Sequence, residues 1–328
     1  MHAISLHAFG APENLQYEEV PDPAPGEDQV RIAVQASGVH LIDTTLRSGI
    51  QMGPLPLPDL PAIPGREVAG FVDRVGSGVD HEWTGRRVVA HLGPASAGYA
   101  ELAVAPVSAL HEVPDHVDFD VAVAMVGTGR TAVGILDVAA LTGDDVVLVT
   151  AAAGGLGTLF LQAARNAGAA AVGVAGGPEK VECVRAIGAD VAVDYREPGW
   201  ADRVREALGD REVSVVLDGV GGEAGRAAMA LLGVAGRHIL FGWSAGQPTE
   251  ITTADLMGRG LTVTAIGPRL LPNLRELATR ALDEAAAGNL VPVVQHFPLA
   301  RAADAHAALE ARATAGKVVL VPAGVRSS

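Results

Sequence analysis

A glycine-rich turn between Ala151 and Gly157 has the residue types and spacing that bind the pyrophosphate of a dinucleotide. Gly154 and Gly157 fill two positions of the G-x-G-x-x-G fingerprint, and Ala152 stands at the first. The turn follows a strand-like run and opens a predicted helix, whose first N–H groups can bind an anion. A tight strand–helix turn without a ligand is the alternative. We predict that a run of five residues binds the cofactor: Ala153, Gly154, Gly155, Leu156 and Gly157.

The end of the next strand indicates which dinucleotide binds. An acid there would accept a hydrogen bond from a free ribose 2′-hydroxyl, but the chain has Gly176, with Lys180 one helical turn later. The segment Asp194–Arg196 follows the third strand, and its side chains can fold over the same edge of the sheet. Glu179 is close by, but acids are favoured in the first turn of a helix. We predict that Gly176, Lys180 and Tyr195 surround a 2′-phosphate and that the cofactor is NADPH; a solvated lysine and a half-buried surface tyrosine are the alternatives.

His40 and Asp43 are the candidate catalytic residues, because they could make polar contacts with a substrate. The imidazole of His40 can deliver a proton near neutral pH. The alternatives are a hydrogen-bonded, partly buried histidine and an aspartate that caps a helix beginning with Thr44. Further along the chain, Arg130 and Thr131 are predicted to meet the nicotinamide ribose or the phosphates.

A zinc site is not predicted. A catalytic zinc ion needs about three Cys, His or acidic ligands, and the candidates are His40, Asp43, Glu67 and His91. No cysteine accompanies them, and Arg66 beside Glu67 would set one cation against another. We therefore expect no bound metal.

The charge and the cysteine count exclude several classes of protein. A formal charge of −14, from 38 acids against 24 lysines and arginines, argues against nucleic acid or an anionic membrane as partner. The single cysteine, Cys183, excludes a disulfide framework and a Cys-rich zinc site. The start of the chain lacks the pattern of a secretory signal, and the apolar run Val146–Leu161 is too short and too interrupted by glycine for a membrane span. We expect a cytoplasmic protein that acts on a small molecule.

The organisation of the chain changes near residue 120. At 328 residues the chain is long enough for about two domains. The first 119 residues are rich in short strands and turns, and Gly49–Pro64, with five prolines, is predicted to be an irregular loop.

From Asp120 onward, predicted strands alternate with helices. Val121–Leu141 has helical spacing. Strands are predicted at 145–150, 170–175, 190–193, 213–217, 236–241 and 261–266, with helices at 156–167, 178–187, 199–208 and 222–232. This alternation is typical of an α/β fold with a doubly wound parallel sheet, the Rossmann arrangement.

The last 60 or so residues are predicted to return to the first domain. A helix is expected at Leu271–Ala287, a turn and strand at Asn289–Val294 and a buried strand at Gly316–Val321. We therefore predict a catalytic domain of residues 1–120 completed by 267–328, and an NADP(H)-binding domain of residues 121–266.

The chain resembles, essentially from end to end, the zinc-independent medium-chain dehydrogenases/reductases. Among these it is most similar to quinone oxidoreductases of the zeta-crystallin type. Besides the glycine turn, the resemblance is carried by Ser37–Thr44, Ile63–Gly70, Gly98–Glu101, Ala186–Asp190, Leu217–Gly222 and Gly316–Leu320. It implies a GroES-like β-rich catalytic domain beside the Rossmann domain, NADPH as cofactor, and a homodimer or homotetramer. It also implies that Lys180 and Tyr195 contact the 2′-phosphate.

Several positions depart from the pattern of this family. His40 stands where quinone reductases commonly have Asn, and Thr45 and Gln51 stand where they commonly have tyrosines. Arg66 replaces the histidine that zinc-dependent relatives use as a ligand. The predicted cofactor-binding set is completed by three residues further along the chain: Phe241, Gly242 and Lys317.

The expected activity is hydride transfer from NADPH to a quinone or to the β-carbon of an α,β-unsaturated carbonyl compound. The protein would mainly orient the reactants and exclude water. Solvent can protonate the product, so that no strong general acid is required. The alternatives are an enoyl or ketone reductase of a biosynthetic pathway, and an NADPH-binding sensor or structural protein with little activity.

Overall fold

The computed structural model describes residues 1–51 and 56–324. The chain divides into two compact units, of which the first combines Met1–Gly129 with Ala278–Ser328 and the second is Arg130–Leu277. The domain boundaries drawn from the sequence, near residues 120 and 267, stay a prediction.

The strands are numbered along the chain. They are β1 His2–Leu6, β2 Leu15–Glu19, β3 Gln29–Val39, β4 Glu67–Val75, β5 Arg87–His91, β6 Leu102–Pro106, β7 Leu110–Glu112, β8 Val146–Val149, β9 Ala170–Ala175, β10 Val191–Asp194, β11 Val213–Asp218, β12 Leu232–Leu240, β13 Thr262–Ala265, β14 Val294–Pro298 and β15 Lys317–Val321.

The α-helices are numbered in the same way. They are α1 Leu41–Arg47, α2 Phe119–Ala124, α3 Arg130–Ala139, α4 Gly155–Asn166, α5 Pro178–Ile187, α6 Trp200–Leu208, α7 Gly222–Ala230, α8 Thr253–Arg259, α9 Leu274–Ala286 and α10 Ala302–Glu310. A π-helical turn, Met125–Gly129, joins α2 to α3.

The second unit contains a parallel sheet in the order β10-β9-β8-β11-β12-β13. Its central strands are buried Val, Leu and Ala runs, as parallel strands covered on both faces require. The order reverses next to β8, and ligands of doubly wound folds bind at the carboxyl ends of the strands on either side of such a reversal. The predicted α/β class is confirmed.

The first unit is β-rich. Its mixed sheet runs β14-β15-β3-β4-β5-β7, with β6 also paired to β3, and β1 and β2 form a separate antiparallel pair. The β15 strand pairs antiparallel with β3. A strand from the end of the chain thus pairs within the sheet that the beginning of the chain starts.

Local residue chemistry explains where the helices of the second unit begin and end. Helix α5 has Pro178 in its first turn and ends at Gly188, whose left-handed backbone, with φ of 97°, favours glycine. Helix α8 was not predicted, although Thr252 and Asp255 form a capping box at its start.

Two other differences separate the predicted elements from the structure. The strand of the turn and strand predicted at Asn289–Val294 begins only at Val294, because Pro292 has no N–H for a sheet. In the predicted loop Gly49–Pro64, the described residues are irregular apart from an isolated bridge between Ala62 and Leu6, and residues 52–55, which include Pro54, lie outside the described part.

One helical stretch of the described residues, Phe119–Ala139, is long and apolar enough to cross a membrane by length and composition alone. However, 61% of its apolar window is buried inside the protein. Buried core helices of soluble proteins can be equally long and apolar, so this stretch is only weak support for a membrane span.

Candidate functional site

The candidate cofactor site lies at the carboxyl end of β8 in the second unit. Gly154 is the extended N-cap of helix α4. The first intrahelical hydrogen bond runs from the Thr158 N–H to the Gly154 carbonyl oxygen, 2.9 Å away. The N–H groups of residues 155–157 therefore have no intrahelical partner and can bind an anion.

Glycine is required at one position of this turn by packing. A Cβ on Gly157 would lie 2.7 Å from Ala152 Cα and would clash with the Ala151 carbonyl oxygen. A Cβ on Gly154 would lie 3.2 Å from the same oxygen, which is tight but possible. Ala152 and Ala153 are buried behind the turn. The third glycine of the fingerprint thus lets helix α4 approach β8 closely.

Asp218, the last residue of β11, fixes the adjacent turn. Its Oδ1 accepts hydrogen bonds from Thr150 Oγ1 at 2.8 Å and the Gly221 N–H at 3.1 Å, and its Oδ2 accepts one from Thr249 Oγ1 at 2.7 Å. Burial alone would raise the pKa of Asp218, but the neighbouring His238 and these donors outweigh burial and lower it to about 2. The ionised carboxylate ties the ends of β8 and β11 together.

Gly176, Tyr195 and Arg196 come together after β9 and β10. A Cβ on Gly176 would lie 2.8 Å from Arg196 Nε and 3.1 Å from the Tyr195 hydroxyl oxygen. Within the described residues, the Arg196 guanidinium makes no hydrogen bond or ion pair. Lys180 is half-buried in the first turn of α5, which follows Gly176. A phenol and a free guanidinium therefore face the residue where an acid is missing.

Phe241 and Gly242 follow β12 at the same edge of the sheet. The Phe241 N–H donates to the Asp218 carbonyl oxygen at 2.9 Å, and a Cβ on Gly242 would lie 3.2 Å from the Gly219 carbonyl oxygen. Thr131 is the second residue of α3 and is half-buried. That these residues contact a cofactor stays a prediction.

In the first unit, His40, Glu67 and Lys317 form a triangle. His40 Nε2 lies 2.6 Å from Glu67 Oε1, Lys317 Nζ lies 2.8 Å from Glu67 Oε2, and the two nitrogens are 2.9 Å apart. His40 follows β3, Glu67 opens β4 and Lys317 opens β15, so three neighbouring strands bring them together. Glu67 and Lys317 are buried, while the His40 side chain is 25% exposed.

The side chains of this triangle occupy space that is free only because two neighbouring residues are glycines without a Cβ. A Cβ on Gly38 would lie 3.1 Å from Lys317 Cε, and a Cβ on Gly127 would lie 2.6 Å from Glu67 Cδ. Gly127 is the middle residue of the π-helical turn Met125–Gly129, and such turns occur frequently at functional sites. The Glu67 carboxylate is therefore packed directly against main chain.

The triangle cannot satisfy all three contacts at once. Burial alone would raise the pKa of Glu67, but His40, Lys317 and His91 hold it well below its usual range, so the group is a carboxylate. A protonated His40 Nε2 is attracted to the Glu67 carboxylate but faces the Lys317 ammonium. A deprotonated Nε2 accepts from Lys317 but faces the carboxylate. Each protonation state of Nε2 therefore has one favourable and one unfavourable contact.

Asp43 lies beside the triangle, and its carboxylate accepts hydrogen bonds from three neighbouring groups. Its Oδ2 accepts from the His40 backbone N–H at 2.8 Å and from the Tyr99 hydroxyl at 3.1 Å, and its Oδ1 accepts from Arg66 Nη2 at 3.2 Å. Asp43 does cap a helix, as the alternative interpretation held, but α1 begins at Leu41 rather than Thr44 and Asp43 caps it from the third position.

A buried histidine completes this network. The Tyr99 hydroxyl has one proton, which it donates to Asp43, so its oxygen accepts from His306 Nε2, 3.2 Å away. Burial disfavours the imidazolium and lowers the pKa of His306 to about 4. His306 is therefore neutral at pH 7 and supports Tyr99 and Asp43.

Sequence reasoning missed three features of these sites. Arg196 was expected at the same edge of the sheet as Tyr195, but it was not among the predicted cofactor residues. Glu67 was considered only as a zinc ligand, and Lys317 only as a cofactor contact. Glu67 and Lys317 lie 250 positions apart, and nothing in either segment indicated that they would pair.

Two family models and several relatives match the chain. The model for the alcohol dehydrogenase GroES-like domain matches residues 26–115, and the model for zinc-binding dehydrogenase matches residues 187–320. A quinone oxidoreductase of Pseudomonas aeruginosa is 34% identical over 97% of this chain and 99% of its own length. A 2-haloacrylate reductase of Burkholderia sp is 32% identical over 98% of both chains.

A solved structure extends this similarity to three dimensions. Quinone oxidoreductase of Escherichia coli, crystallised with NADPH, has a TM-score of 0.84 to this chain and 31% sequence identity, and the similarity covers 98% of this chain and 100% of that one. The match thus includes both the GroES-like and the Rossmann parts. The chain therefore belongs to the quinone oxidoreductase family of medium-chain dehydrogenases/reductases.

Proposed function

We propose that this protein uses NADPH to reduce a quinone or an α,β-unsaturated carbonyl compound. The observation that carries the proposal is the convergence of the Arg196 guanidinium and the Tyr195 hydroxyl on Gly176, where no acid is present to bind a free 2′-hydroxyl. The names of the relatives support it: two are quinone oxidoreductases, one of them crystallised with NADPH, and a third acts on an unsaturated acid.

The residues at the edge of the parallel sheet fit a 2′-phosphorylated dinucleotide. The N–H groups of residues 155–157 would bind the pyrophosphate, and Arg196, Lys180 and Tyr195 the 2′-phosphate. Phe241 and Gly242 lie along the same edge. When bound, NADPH supplies the hydride for the reduction.

His40 is the proposed proton donor to the reduced product. It is the partly exposed member of the triangle, and its Nε2 contacts Glu67 Oε1 and Lys317 Nζ. Asp43 is buried and orients His40 and Arg66, so we assign it a positioning role. We assign Lys317 to the triangle as well, because its ammonium is engaged by Glu67 and His40.

We propose that the reaction does not use zinc. One matching family model is described as zinc-binding, but the possible ligands of this chain do not fit a zinc ion. The Lys317 ammonium lies between Glu67 and His40, and the Arg66 guanidinium contacts Asp43. Across residues 1–51 and 56–324, no group of three or more His, Cys, Asp or Glu is arranged to hold a metal.

The test is NADPH consumption by the purified protein with matched quinones, enones and simple ketones. We expect turnover with quinones or enones. Activity on ketones alone would favour the alternative of a ketone reductase, and NADPH binding without turnover of any acceptor would favour a sensor. The homodimeric or homotetrameric state and the cytoplasmic location stay predictions.

A further inference from the structure

The Arg66 guanidinium has many more hydrogen-bond donors than partners. Its Nη2 donates to Asp43 Oδ1 at 3.2 Å, and its Nε is buried without a hydrogen-bond partner in the described part of the chain. A guanidinium has five N–H donors in one plane. Buried polar groups are normally satisfied, so an unused donor set at a candidate active site indicates a missing acceptor.

The neighbouring acids cannot supply that acceptor. Asp43 Oδ2 already accepts from the His40 N–H and the Tyr99 hydroxyl, so only Oδ1 is turned to Arg66. Glu67, the next residue along the chain, is directed to His40 and Lys317. Arg66 therefore keeps most of its donors, and its side chain is 15% exposed, which leaves it accessible to a small ligand.

Arg66 also lies beside the proposed proton donor. Asp43 joins the two residues, since one of its oxygens accepts from the His40 backbone and the other from the Arg66 side chain. The Arg66 guanidinium and the main chain of the partly exposed His40 are thus held by the same carboxylate. Arg66 and His40 therefore belong to one hydrogen-bonded network.

We propose that Arg66 binds the carboxylate of an α,β-unsaturated acid, which would be the preferred acceptor of this protein. This inference rests on the proposed NADPH-dependent reduction. The guanidinium fork matches a carboxylate in two parallel hydrogen bonds, whereas the single oxygen of a ketone or quinone would use one. In a chain with a formal charge of −14, an acidic substrate also needs such a local cation.

The reaction balances with the proposed partners. A hydride from NADPH forms the new C–H bond at the β-carbon, and the π electrons of the C=C bond move toward the α-carbon and the carboxylate. A proton from His40 then forms the second C–H bond at the α-carbon, and solvent restores the proton of His40. The carboxylate gains negative charge as the hydride arrives, so Arg66 stabilises the transition state more than the ground state.

The test compares 2-chloroacrylate with its uncharged methyl ester in the wild-type protein and in Arg66→Gln, Arg66→Lys and Arg74→Gln. Arg74 is an exposed arginine on strand β4 and serves as the matched control. For Arg66→Gln we expect kcat/KM to fall roughly 30-fold or more for the acid and less than about threefold for the ester, because only the acid loses a charged pair. Arg66→Lys should recover part of the loss, and Arg74→Gln should change neither value. Equal losses for acid and ester, or no loss for either, would overturn the inference.

A second measurement is independent of turnover. Binding of the saturated acid 2-chloropropanoate to the NADPH-loaded protein, followed by NMR, should weaken at least about tenfold in Arg66→Gln and stay unchanged in Arg74→Gln. Unchanged binding in Arg66→Gln would also contradict the inference, whether or not any acceptor is reduced. If the wild-type protein reduces the ester and quinones but Arg66→Gln retains the preference for the acid, the inference fails while the proposed function stands. If no acceptor is reduced, the proposed function fails, and the binding result alone decides on Arg66.

Discussion

The ammonium of Lys317 lies 2.8 Å from Glu67 Oε2, and both side chains are almost entirely buried. Their residues are 250 positions apart in the sequence, yet each opens a strand of the same sheet. A buried ion pair of this kind is costly to break, because removal of one partner leaves the other charged and unsolvated.

The first prediction concerns the stability of this pair. Lys317→Met and Glu67→Gln should each lower the free energy of unfolding by about 3–5 kcal/mol, because each leaves the other buried charge with only the His40 ring of the triangle beside it. The double variant should lose much less than the sum of the two single losses. Urea denaturation of the four proteins forms a double-mutant cycle, and additive losses would show that the two groups do not interact.

The second prediction concerns cofactor choice. Arg196→Ala and Lys180→Ala should each weaken NADPH binding roughly 10- to 100-fold, because a hydrogen bond to a charged group contributes about 1.5–3 kcal/mol. NADH, which lacks the 2′-phosphate, should lose less than about threefold. Arg185→Ala is the control, since Arg185 is exposed on helix α5, which also carries Lys180, and it pairs with Glu182. Fluorescence titration measures both cofactors, and equal losses for the two would mean that the 2′-phosphate lies elsewhere.

The sequence could predict those features that depend on residues close to one another along the chain. The alternating strands and helices of the second unit and the glycine turn follow from local spacing, and the turn between Gly154 and Gly157 lies where it was expected. The triangle of the first unit could not be predicted, because Lys317 is 277 residues from His40 and meets it only through the pairing of β15 with β3. Residue types alone indicated that His40 was of interest, but not its partners.

The third prediction concerns the packing of the glycine turn. Gly157→Ala should lower stability by about 1–3 kcal/mol and weaken NADPH binding, because its Cβ would lie 2.7 Å from Ala152 Cα and neither backbone can move freely. Gly258→Ala is the control. Gly258 lies within helix α8 with no atom within 4 Å of its Cβ position, so alanine should be neutral or stabilising by up to about 1 kcal/mol. Thermal unfolding with and without NADPH compares the two, and a Gly157→Ala protein as stable as the wild type would contradict the close approach of α4.

The fourth prediction concerns metal. Purified protein should contain zinc well below one equivalent, and prolonged dialysis against EDTA should leave NADPH-dependent activity within about twofold of its starting value. The reason is that Lys317 occupies the position between Glu67 and His40 and carries its own positive charge. Elemental analysis and activity measured on the same sample check this. Stoichiometric zinc whose removal abolishes activity would contradict the assignment.

The fifth prediction concerns acid stability and follows from His306. Burial lowers the pKa of His306 from 6.5 to about 4, so between these values the unfolded chain binds a proton that the folded protein does not. The folded state is therefore favoured increasingly as pH rises from about 4 to 6.5, and the whole effect is of the order of 3 kcal/mol. His306→Gln removes the titration while its amide can still donate to the Tyr99 oxygen. The free energy of unfolding of His306→Gln should thus fall less than that of the wild type between pH 6.5 and 4.5, whereas His116→Gln, at an exposed histidine, should follow the wild type. Parallel curves for His306→Gln and the wild type would show that His306 titrates normally and is not held neutral by its burial.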